Sequence, residues 1–148
     1  MDRCQKKSLA HKYCYEAAKE KNKNSESNGG LMRIVPLVIY CLRFETEEEI
    51  ETTVLEEQRL THYNPTVIDA AIGYVLAMRY IILNKGNFEG IQQYMENWVK
   101  SRKNSNIKQY WDEALQKKLA DCDGQTQGWA KHAWSQTFWC LIHLEKFK

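Results

Sequence analysis

Apolar residues recur along most of the chain at the three- and four-residue spacing of a helix, and no stretch shows the strict alternation of a half-buried strand. The clearest run follows Asn64-Pro65, where Val67, Ile68, Ala71, Ile72, Val75, Leu76 and Met78 keep one helical phase. Asn64 suits the cap and Pro65 the first helical position, because proline lacks the N–H that would be unpaired there. Lys85-Gly86 closes that run. Thr46 with Glu49 reads as a capping box, and Glu47 to Glu49 place negative charge on the positive helix end, predicting a helix from there to about Thr61. A run from Leu31 to Arg43 contains Pro36, close enough to its start to predict a slight kink rather than a break. Two helices are expected over 88–102 and 107–121, parted by Asn104-Ser105-Asn106, and a last one over 127–146. Residues 1–28 are rich in lysine and asparagine, with a short helix expected at 13–21 and a mobile stretch at 22–28. The expectation is an all-α, multi-helix orthogonal bundle, with a polar segment over 1–28 and a helical domain over 29–148.

Composition narrows the class. A chain of 148 residues with 43% hydrophobic and 27% charged residues has globular proportions and suffices for one domain. The net charge of +2 gives no general electrostatic case for nucleic acid. Five cysteines, at 4, 14, 41, 122 and 140, are odd in number and form no CxxC pair. They read as buried free thiols in a reducing compartment, hence an intracellular, cytoplasmic protein. The apolar run over 66–83 contains Asp69 and Arg79 and reads as a core helix rather than a membrane span.

Two short motifs carry candidate chemistry. Ser27-Asn28-Gly29-Gly30 ends the polar stretch, and the apolar helix begins at once with Leu31-Met32-Arg33. Two glycines leave room for a ligand to approach the backbone, and the first amides of a helix have no internal partner. Such a helix start attracts anions, phosphate above all. Downstream, Leu60-Thr61-His62-Tyr63-Asn64-Pro65 turns one helix into the next and puts His62 at the corner. Each residue has a plainer role beside the functional one. Arg33 is either a phosphate ligand or the ion-pair partner that holds the loop. His62 either meets a ligand or satisfies carbonyls at its helix end. Met32 reads as packing under the loop before it reads as a contact. The five tryptophans, at 98, 111, 129, 134 and 139, read as core material, with stacking on a base the lesser alternative.

Asn28-Gly29-Gly30-Leu31-Met32-Arg33-Ile34-Val35-Pro36, the Leu60 to Pro65 corner, and Gly128-Trp129 opening a helix rich in tryptophan and alanine together resemble the ADP-ribosylglycohydrolase family. They occur in the family's order and cover about residues 25–145, the central portion of a family domain of roughly twice this length. The resemblance implies an incomplete all-helical domain that binds ADP-ribose or an ADP-ribosylated protein and hydrolyses the N- or O-glycosidic bond to the acceptor. It implies ligand-binding roles for Asn28, Gly29, Gly30, Met32, Arg33 and His62. It also implies a pair of magnesium ions, held in the family by an early Thr-Asp-Asp cluster and a late Gly-Gly-Asp-x-Asp cluster. Neither is found here: Asp121-Cys122-Asp123-Gly124 precedes the Gly128-Trp129 helix instead of following it, and reads as a loop that ends a helix. The alternative function is therefore a catalytically inactive module that binds ADP-ribose or a partner protein. An incomplete domain would also leave apolar faces on the 66–83 and 127–146 helices, implying self-association or a missing partner segment.

Overall fold

The structure is a computed structural model that describes residues 3–119 and 121–143. Among the described residues eight helices follow one another: α1 (Arg3–Lys21), α2 (Gly29–Met32), α3 (Val35–Cys41), α4 (Glu47–Gln58), α5 (Pro65–Leu83), α6 (Ile91–Ser101), α7 (Ser105–Ala114) and α8 (Ala130–His143). Among the described residues no strand forms, so the protein is an all-α bundle.

α5 is its axis. Val67, Ala70, Ala71 and Val75 have no exposed surface, and the helix touches α2, α3, α4, α6, α7 and α8. It is long and apolar enough to cross a membrane by length and composition, but its apolar side chains are spent on this core. Its start is as the sequence predicts: the Asn64 side chain accepts from the Thr66 N–H at 2.8 Å. The capping box of α4 also forms, with Thr46 Oγ1 accepting from the Glu49 N–H at 3.3 Å and Glu49 accepting from the Thr46 N–H at 3.1 Å. A second core layer joins α7 to α8, where the Trp134 and Phe138 rings lie 4.2 Å apart and Trp111 meets both edge-on.

Three boundaries differ from expectation, each for a physical reason. The 31–43 helix is broken, not kinked, at Arg33–Ile34. Pro36 cannot donate to the Met32 carbonyl, so the chain ends one short helix and restarts with proline in the first turn of the next. α1 is far longer than the predicted short helix and buries only Ala18 among its described side chains. Its end is fixed by partners elsewhere: Tyr15 Oη donates to the Glu56 carbonyl at 3.1 Å, and Asn22 Nδ2 to the Thr61 carbonyl at 2.9 Å. α7 stops at Ala114, several residues early, and the last residues of the predicted 127–146 helix lie outside the described residues. Of the apolar faces expected to be left uncovered, that of α5 is buried over most of its length to Ala77, whereas on α8 Trp139, Cys140, Leu141 and Ile142 stay half-buried. The exposed apolar side chains include Met32, Val35 and Ile39 on α2 and α3, and Leu83 at the end of α5.

Gly73 lets α6 lie against α5. A Cβ there would come within 2.8 Å of the Trp98 ring, which is itself buried. Gly73→Ala is expected to cost roughly 1–3 kcal/mol by overpacking, read as a lower urea midpoint with unchanged helical circular dichroism. On the other side of α5, the half-buried Asp69 accepts from Asn104 Nδ2 at 3.0 Å. Burial pushes its carboxyl up, against the opposing pull of Asn104 and Arg102. A raised folded-state value means that the fold favours the protonated acid, and this stability is lost as pH rises above the ordinary carboxylate range. Asp69→Asn is therefore expected to raise the midpoint at pH 7, with the gain shrinking as pH falls towards 4.

Candidate functional site

The three sequence motifs meet. The Asn28 N–H donates to the Gly128 carbonyl at 2.8 Å, and the Ala130 N–H donates to the Glu26 carbonyl at 2.7 Å. Between these bonds Ser27 and Trp129 form an antiparallel bridge. The glycine turn is thus stitched to the start of α8. From the other side comes the corner between α4 and α5: a Cβ added to Gly29 would lie 3.2 Å from His62 Nε2. Residues about 28, 62 and 128 therefore share one surface.

The two glycines serve different ends. Gly29 faces the imidazole across the surface, so its lack of a side chain keeps that approach open. Gly30 is buried, and a Cβ there would fall 2.4 Å from Gln58 Oε1 and 3.3 Å from Val67. Its missing side chain is needed for α2 to dock on α4 and α5, and no ligand reaches that face. The expected anion cradle changes too. α2 is a single turn of four residues, and the amides of Gly29, Leu31 and Met32 are already occupied. Gly29 N–H donates to Ser27 Oγ at 3.3 Å, while the N–H groups of Leu31 and Met32 donate to the Asn28 carbonyl at 2.9 and 3.1 Å. Recognition there falls to side chains rather than to a free helix start.

Arg33 takes the ion-pair role. Its Nη1 pairs with Glu57 Oε1, and its Nη2 donates to Thr61 Oγ1 at 2.6 Å. The same Thr61 oxygen lies 2.9 Å from His62 Nδ1. Burial lowers the His62 pKa, Arg33 lowers it further, and Glu57 opposes both. The ring is accordingly neutral near pH 7, since even an unperturbed histidine is mostly neutral there. Met32 does not pack under the loop: it is 77% exposed. Trp129 is 40% exposed beside the turn, while Trp98, Trp111 and Trp134 are core. Of the expected residues, Asn28, Gly29 and His62 come together, with Arg33 behind His62, Met32 outward and Gly30 inward.

Sequence reasoning missed Gln58. It is fully buried, yet its Nε2 donates to the Gly30 carbonyl at 3.3 Å and its own carbonyl accepts from the Thr61 and His62 N–H groups at 3.0 and 2.7 Å. One residue thereby fixes both the glycine turn and the histidine corner. Its register was the available signal: Gln58 follows Ile50 and Val54 at four-residue spacing, a polar side chain on the buried stripe of α4, one helical turn before His62.

Magnesium needs several hard oxygens converging on one point. Among the described residues no group of three or more His, Cys, Asp or Glu side chains gathers. Asp121 Oδ1 accepts from the Asp123 N–H at 3.0 Å, which closes their own turn. Glu57, the carboxylate paired with Arg33, is already engaged. The described residues do not fit a magnesium pair.

Comparison with known proteins returned no match among curated proteins and none among solved structures. A family model does match, described as ADP-ribosylglycohydrolase and covering residues 3–148, so the likeness extends well beyond the 25–145 expected from the motifs and takes in α1. With that match over nearly the whole chain, and the three motifs joined on one surface, the protein belongs to the ADP-ribosylglycohydrolase family.

Proposed function

We propose that this chain recognises ADP-ribose, free or attached to a protein, on the surface formed by Asn28, Gly29, His62 and Trp129. The convergence of three distant motifs on one surface carries this reading. The Asn28 side chain makes no capping hydrogen bond, which leaves its amide for a ribose hydroxyl or phosphate oxygen. His62 turns Nε2 towards the open face of Gly29. The exposed Trp129 indole offers a face on which an adenine could stack, a contact worth roughly 1–3 kcal/mol. Arg33 supports the corner and adds positive potential without itself being free to clamp a phosphate.

Hydrolysis of the glycosidic bond is the reaction that family membership suggests, and the match over residues 3–148 favours it as the second reading. It would call for metal-binding carboxylates beyond those gathered among the described residues, for instance from another chain. Recognition and hydrolysis separate experimentally. Titration calorimetry with ADP-ribose is expected to show binding that His62→Ala and Gly29→Val each weaken about tenfold or more, equivalent to about 1.4 kcal/mol, with unchanged circular dichroism. Binding indifferent to magnesium supports the recognition reading. Magnesium-dependent release of ADP-ribose from a modified protein by the purified chain would replace it with the hydrolase reading. No heat of binding at millimolar ADP-ribose would overturn both.

A further inference from the structure

Thr61 Oγ1 stands between a guanidinium and an imidazole, 2.6 Å from Arg33 Nη2 and 2.9 Å from His62 Nδ1. A hydroxyl has one proton to give and two lone pairs to receive, whereas a guanidinium only donates. Arg33 therefore takes one lone pair, which leaves the hydroxyl proton available to the imidazole Nδ1. A ring whose Nδ1 accepts, and which is uncharged, carries its proton on Nε2. That nitrogen is the one facing Gly29. Arg33 also donates to Glu57, so an unbroken chain of hydrogen bonds, with Arg33 as the donor at its centre, links Glu57 and Thr61 and reaches His62.

We propose that Glu57, Arg33 and Thr61 form a positioning relay that holds His62 as the neutral Nε2–H tautomer, so that it meets its ligand as a hydrogen-bond donor rather than as a cation or a base. The charged groups acting on the ring are Arg33, from the turn after α2, and Glu57, from α4. Asn22, at the end of α1, reaches the Thr61 carbonyl at 2.9 Å through an uncharged amide. The ligand chemistry follows: an acceptor oxygen, anionic or neutral, seated over Gly29. A donor that needs no added proton keeps its strength from mildly acidic to mildly basic pH, where an imidazolium would lose its own.

This inference deepens the ADP-ribose reading but is tested without any ligand. In the full chain labelled with 15N-histidine, long-range proton–nitrogen spectra at pH 7.5 are expected to place the His62 proton on Nε2 almost completely. Thr61→Val should shift the ring towards the mixture of a free histidine and raise its titration midpoint by roughly half a unit or more, since the bond to the neutral form is gone. Thr61→Ser should restore both. Arg33→Gln should also raise the midpoint, because it removes a cation and frees Glu57. A ring protonated on Nδ1, or a midpoint that none of these variants moves, would overturn the relay. The ligand side is read separately: ADP-ribose affinity should stay flat between pH 6.5 and 8.5. An affinity that falls about tenfold per pH unit across that range would mean that His62 binds as a cation, and would also overturn it.

Discussion

Gln58 holds the site in register. Its side chain is wholly inside the protein and spans from the last turn of α4 to the carbonyl of Gly30, while its backbone oxygen gathers the amides of Thr61 and His62. Two segments about thirty positions apart in the sequence are thus referred to one rigid residue. The arrangement leaves little slack at the Gly30 carbonyl, because a buried backbone oxygen deprived of its partner costs about 1–3 kcal/mol. It also gives the second glycine a physical reason: only a residue without a side chain lets α2 come this near to Gln58. The ligand-facing and the structural roles of the Asn-Gly-Gly turn are thereby divided between adjacent residues.

The charged network outside this buried pair works differently. The Arg33–Glu57 bridge is partly exposed, and such pairs in water contribute little to stability. Its importance is orientational. It holds Arg33 on Thr61 Oγ1, the oxygen that also meets His62 Nδ1. Burial, Arg33 and Thr61 all bear on a ring of ordinary basicity, and the first two favour its uncharged form against Glu57.

Much of the fold could be read from the chain because it depends on local chemistry. The Asn64-Pro65 start, the Thr46–Glu49 box and the apolar phase of α5 are set by neighbours within a turn or two, and each appears where that chemistry places it. What escaped was non-local. The length of α1 depends on contacts with Glu56 and Thr61, since its polar sequence gives no periodic stripe. The site divides along the same line. The glycine pair and the histidine corner stood out as motifs, yet their inward and outward members could be sorted only with Gln58 in place. The occupied amides of α2 likewise follow from a reverse turn at Asn28 that sequence does not specify.

The bridge between Ser27 and Trp129 closes a loop of about a hundred residues, the kind of long-range pairing whose entropy must be met before its contacts reward it. Every helix from α2 to α7 lies inside that loop. Closing the clasp costs least entropy once the intervening helices have settled, which favours a late assembly of the outer surface at Asn28 and Trp129. A chain that has stalled with α8 undocked would keep much of its helical content while having no intact recognition surface. The proposed recognition would in this way depend on a few backbone hydrogen bonds formed at the end of assembly.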